Sequence, residues 1–188
     1  MDKAAWEAII PSMGYMALLR NLRNFDEAKI SNATKATVLS KLADENEIKR
    51  SKQFPFRFYA AYRAAPSLAW GSALSMALDT SLSNIPTLKG RTLVLVDTSG
   101  SMRSPFSAHS EMMNWDAAAL FGIALAKAAD GVDGSHVDVV SYSNGDLPFK
   151  FTRGADVLGE LHRWQSSYNI GATRQVLLDR PVRPPPPP

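Results

Sequence analysis

Cysteine is missing altogether from the 188 residues, which excludes disulfides, thiolate metal sites and cysteine nucleophiles, and permits a reducing compartment. Histidine is scarce. His109, His136 and His162 lie far apart with no ligand spacing, and read as surface or partly buried side chains. No run of about 18 apolar residues occurs, and Asp2, Lys3 and Glu7 stand where a secretory signal would carry its apolar stretch. The expectation is a soluble, cytoplasmic protein. Catalytic signatures are lacking too: there is no G-x-S-x-G elbow, no G-x-x-x-x-G-K-[ST] phosphate loop, and no carboxylate two residues beyond Asp97. Ser99 has no base placed for it, so the chain reads as non-enzymatic.

What is present is globular in character, with 45% hydrophobic residues, enough for one large or two small cores. The net charge of +3 is unevenly spread: residues 1–91 hold 13 Lys/Arg against 8 Asp/Glu, and residues 92–188 hold 8 against 10. A polyanion would therefore meet the first half. That half shows helical periodicity throughout. Ile9 to Leu22 carry apolar residues at helical spacing, broken by Pro11 and Gly14, which predicts two helices meeting at a bend. Ser31 and Asn32 cap a further helix over 33–41. Phe54-Pro55-Phe56 forces extended backbone before helices over 58–64 and 67–82.

Proline and glycine in Ile85–Gly90 mark a change of character. Thr92 to Val96 is a continuous β-branched and apolar run, the pattern of a parallel strand covered on both faces. A helix over 114–129 and a strand over 136–142 follow, predicting a strand-helix-strand crossover. A short edge strand over 147–152 and a helix over 155–166 complete the pattern. Pro181 and Pro184 to Pro188 favour a polyproline extension. The fold class expected is α+β: helical repeats over 1–84, a linker over 85–90, a partial α/β domain of Rossmann type with a mainly parallel sheet over 91–180, and a proline-rich tail over 181–188.

The segment VDTSGSM places Asp97 at the end of the strand, with Ser99 and Ser101 at alternate positions after it. Ligands of open parallel sheets bind at the strands' carboxyl ends, and three oxygens aimed one way suit a hard cation such as Mg²⁺. A turn whose Asp and Ser side chains bond the backbone is the plainer reading of the same residues.

VDTSGSM resembles the metal-ion-dependent adhesion site of von Willebrand factor A domains. The resemblance implies Mg²⁺, or another divalent cation, held by Asp97, Ser99, Ser101 and, from the glycine-threonine loop in YNIGATR, Thr173. The family's final aspartate has only Asp179 in VLLDR as a counterpart, with Pro181 almost at once after it. The first half, through WEAIIPSMGYMALLRNLRNF and FPFRFYAAYRA, is similar to the final repeats of the TROVE module in Ro sixty-kilodalton proteins. That pairing implies a cytoplasmic, RNA-binding ribonucleoprotein component taking small structured noncoding or misfolded RNA and single-stranded ends. It also implies further repeats upstream and a curtailed A domain downstream. A metal-dependent A domain that binds a protein partner, with no direct role in RNA binding, is the competing reading.

Phosphate contacts would come from Lys/Arg clusters. The candidates are Arg20 and Arg23 in ALLRNLRNF, Lys49, Arg50 and Lys52 in the loop IKRSKQF, and Arg57 and Arg63 among Phe56, Phe58, Tyr59 and Tyr62. Arg20 and the 49–52 cluster lead the set. The interleaved aromatics read either as core at helical spacing or as stacking platforms for unpaired bases.

Overall fold

The structure is a computed structural model; it describes residues 1–167 apart from 66, 109, 144 and 153. Thr173, Asp179 and the proline-rich tail therefore lie outside the described residues, as does His109.

The first half is helical. It runs α1 (Lys3–Ile9), α2 (Tyr15–Glu27), α3 (Asn32–Leu42), α4 (Glu45–Ser51), α5 (Pro55–Ala64) and α6 (Gly71–Thr80), with short 3₁₀ turns at Ile10–Ser12, Leu68–Trp70 and Ser81–Asn84. Local chemistry sets several boundaries. Asp2, Ser31 and Asp44 cap α1, α3 and α4 by accepting from the N–H three residues on. Pro55 opens α5, where its missing N–H costs nothing. Helix α4 corrects one expectation, because Lys49 and Arg50 sit on a helix and only Lys52, left-handed at φ 50°, belongs to the loop. Leu18, Leu22 and Phe25 of α2 interlock with Phe58 and Tyr59 of α5 and Leu74 and Leu78 of α6 in the core. Asp26 of α2 ties in α3 and the 3₁₀ turn before α6 by accepting from the Trp70 indole N–H at 2.9 Å and pairing with Lys35 at 3.6 Å.

The second half runs β1 (Gly90–Asp97), α7 (Asn114–Ala129), β2 (Ser135–Tyr142), β3 (Asp146–Phe149) and α8 (Val157–Ser167). The sheet order is β1-β2-β3, with β1 parallel to β2, Asp97 opposite Tyr142, and β3 antiparallel to β2. The edge strand expected over 147–152 is the four-residue β3, and it pairs antiparallel, so the sheet has one parallel and one antiparallel pair. Helix α7 covers one face so closely that a Cβ on Gly122 would lie 3.1 Å from Val139 Cγ1 and 3.3 Å from Val94 Cγ1. The other face departs from expectation. Leu93 and Leu95 are 58% and 44% exposed, and no helix covers them among the described residues.

The halves are not separate bodies. One apolar cluster runs from Trp6 to Trp164 and includes α5, α6, α7 and α8. Polar links cross with it: the Val157 N–H donates to Asp79 Oδ1 at 2.9 Å, and the Gln165 amide donates to the Tyr59 hydroxyl at 3.1 Å. Among the described residues no helix is long and apolar enough to cross a membrane.

Candidate functional site

Two chemically distinct places hold several of the residues singled out in the sequence. The first is the carboxyl end of β1. Backbone pairing continues one residue past the strand, since Thr98 donates to the Tyr142 carbonyl from both N–H (3.0 Å) and hydroxyl (3.1 Å). That fixes the direction in which the chain leaves the sheet. The Ser99 N–H then donates to Asp97 Oδ1 at 2.8 Å, and the hydroxyls of Ser99 and Ser101 approach to 3.1 Å. Asp97, Ser99 and Ser101 are thus brought into one cluster, graded from buried Ser99 through half-buried Asp97 to exposed Ser101.

This donor set fits a hard cation. Two neighbouring ligands of an octahedral Mg²⁺ at about 2.1 Å stand about 3.0 Å apart, close to the spacing of the two hydroxyls. The Asp97 carboxylate keeps a second oxygen for the ion. Its negative charge is felt nearby: the Tyr142 phenol is pushed up from its ordinary range, first by burial and then by Asp97. No group of three or more His, Cys, Asp or Glu that could hold a metal occurs among the described residues, so any ion here would rely on hydroxyls and water beside one carboxylate.

The second place is a cleft of 250 Å³ between α2, α5 and the loop leading into α7. It is lined by Arg20, Arg23, Arg57, Ser107, Ser110 and Glu111 among others. Three of the seven basic candidates meet here although 37 residues of sequence separate the first from the last. Arg20 and Arg23 are one helical turn apart on α2, and Arg57 faces them from α5. Arg50 lines an adjoining cleft with Met16, which both clefts share. Lys49 and Lys52 line neither cleft. Exposed ion pairs hold Arg23 to Glu27 at 3.0 Å, Lys49 to Glu45 at 3.1 Å and Arg50 to Glu47 at 3.2 Å. Such pairs contribute little and release readily to a phosphate. Arg20, Arg57 and Lys52 pair with no carboxylate among the described residues.

The aromatics divide. Phe58 and Tyr59 are fully buried, whereas Phe54, outside the set singled out above, is 47% exposed. Sequence reasoning also missed the network joining the two halves. Asp116, buried at the start of α7, accepts from the Met113 N–H at 3.0 Å and from the Gln165 amide at 2.7 Å. The Tyr59 phenol beside it is pushed up by burial and then by the Asp116 charge. Arg63 reaches the Glu111 carbonyl at 3.4 Å, which makes it a link to the loop. An acidic residue three positions after Met113 at the start of an apolar helix was a readable cap signal; Gln165 carried none.

Residues 2–89 match the TROVE domain family. Telomerase protein component 1 of Mus musculus is 37% identical over 67 residues, which are 35% of this chain and 2% of that protein. The crystal structure of the Deinococcus radiodurans Ro (RSR) protein shares the fold with a TM-score of 0.70 at 19% identity, over 92% of this chain and 37% of that one. The chain thus spans a small part of either relative, and the fold likeness extends over both halves. Residues 2–89 are thus similar to the TROVE domain family, and the fold of both halves is that of the Ro (RSR) structure.

Proposed function

We propose that the chain is an RNA-binding component of a cytoplasmic ribonucleoprotein, non-catalytic, that takes small noncoding or misfolded RNA through its helical half. The observation that carries the reading is the convergence of Arg20, Arg23 and Arg57 on one cleft of the TROVE segment, with Arg50 in the cleft next to it. Arginine forks match phosphate oxygens two at a time. Lys49 and Lys52 then act as outlying charges that draw the strand in. Filter binding over a salt series tests this. Arg20→Glu with Arg57→Glu should weaken binding at least ten-fold and flatten the salt dependence by about 0.7 per lost single-strand phosphate contact. Unchanged affinity would remove the cleft from the interface.

The hydroxyl pair beside Asp97 favours a second activity in the same molecule. Asp97, Ser99 and Ser101 would hold Mg²⁺, with Thr173 as a further ligand, and the ion would offer an open position to a carboxylate of a protein partner. Asp97 supplies the neutralising charge, and the Ser99 N–H keeps that carboxylate oriented. EDTA and Asp97→Ala should then abolish partner binding and leave RNA affinity as it was. Loss of RNA binding under both treatments would instead assign the ion to the RNA site.

A further inference from the structure

A trough of 590 Å³ opens between the start of α5, the exposed side of α7 and the loop after β1. No charged side chain lines it among the described residues. Its rings are unusually bare: Phe54, Phe106 and Phe121 are 47%, 49% and 56% exposed. Large contiguous apolar surface left open on a folded protein marks a place where something else sits.

The surroundings say what kind of thing. Phe56 stands in the trough between Phe54, almost parallel to it at 6.3 Å and 11°, and Phe106 at 6.3 Å. The Arg57 guanidinium lies over Phe56 at 5.1 Å and also lines the arginine cleft. Trough and cleft therefore meet at Phe56 and Arg57. Flanking the trough in sequence are the exposed cations Lys52, Arg57 and Arg103, with Glu111 an exposed acid and Asp116 buried. A backbone of negative charge can follow the cations while flat apolar faces meet the rings, and that combination is single-stranded nucleic acid.

Resting on the RNA reading above, we infer that the Phe54, Phe56 and Phe106 trough is a stacking site for unpaired bases of a single strand whose phosphates lie in the Arg20, Arg23 and Arg57 cleft. A duplex keeps its bases stacked internally and gains nothing from these rings. The open side of the trough leaves the base edges in water, so the lack of polar lining costs the bases no hydrogen bonds.

The test compares a labelled ten-nucleotide oligoadenylate with a blunt RNA hairpin, by fluorescence anisotropy on the full chain. Phe54→Ala with Phe106→Ala should weaken the single strand about ten-fold or more, hold the hairpin within about two-fold, and leave the salt slope unchanged. Phe54→Tyr should keep the parent's affinity. Both alanine sites are about half exposed, so folding is not at stake. Single-strand affinity unchanged by the double variant overturns the inference while sparing the RNA reading. So does equal loss for both RNAs, or a parent dimer that the variant turns into a monomer, which would make the trough a contact between copies. A parent that binds neither RNA removes the RNA reading and this inference with it.

Discussion

Gly122 illustrates how much a single position decides. With a Cβ it would press on Val139, Val94 and Val96 at 3.1, 3.3 and 3.4 Å, so the helix lies as near to the sheet as its backbone allows. Alanine would gain about 1 kcal/mol of helix propensity against that squeeze, but the branched methyls of valine find no room. Gly122→Val should lower stability by about 1–3 kcal/mol, measured by urea unfolding. At this scale the sequence was informative where geometry is local. Asp97, Ser99 and Ser101 come together because a strand end and two alternating positions suffice to aim them. Phe54 needed the fold, as did the placement of Arg57 opposite α2, since no spacing along the chain announces either. Lys49 and Arg50 looked like a loop cluster because charge hid the single buried apolar residue of α4, Ile48; the cap Asp44, which accepts from the Glu47 N–H at 2.9 Å, was the readable clue.

Elements report on one another through their ends. The first N–H of α8 is held by Asp79 on α6, and burial is the main reason that this carboxyl is pushed above its ordinary range, with the Val157 N–H pulling the other way. A folded-state pKa raised above the unfolded value means that the folded chain holds the proton longer. This group therefore favours folding at pH values below the ordinary aspartate range, and its contribution declines as pH climbs from there through the raised value. Asp79→Asn keeps an oxygen for Val157 and removes the titration. Melting temperatures followed from pH 3 upward should fall less with rising pH in Asp79→Asn than in the parent; parallel curves would show that Asp79 does not titrate differently on folding. Helix α7 was legible to the residue, since 16 residues of nearly unbroken apolar character admit little else. Strand β1 was legible as a strand but not in its surroundings, because a continuous apolar run says only that burial suits it, and Leu93 and Leu95 are left outside.

The whole molecule behaves as one body because its core ignores the change from helices to sheet. Trp6 and Trp70 lie in the first half, Trp115 and Trp164 in the second, and Trp6, Trp70 and Trp164 belong to the same apolar cluster. Variants that keep only Trp70 or only Trp164 should therefore give coincident denaturation midpoints by fluorescence; two separated transitions would contradict a shared core. The composition shift at Ile85–Gly90 marks where helices give way to sheet and says nothing of how the two sides pack: charge and periodicity describe surfaces and elements, whereas contact between α5 and α7 or between α6 and α8 depends on how the chain folds back.

The tie between Tyr59 and Gln165 gives that shared core a history as well as a strength. A connector such as Ile85–Lys89 is where recombination would most easily exchange one half for another's, yet the newcomer would arrive without the matching wall, leaving Tyr59, Leu78 and Val157 facing water. Exchange at this seam would leave those side chains unmatched unless both walls changed in concert.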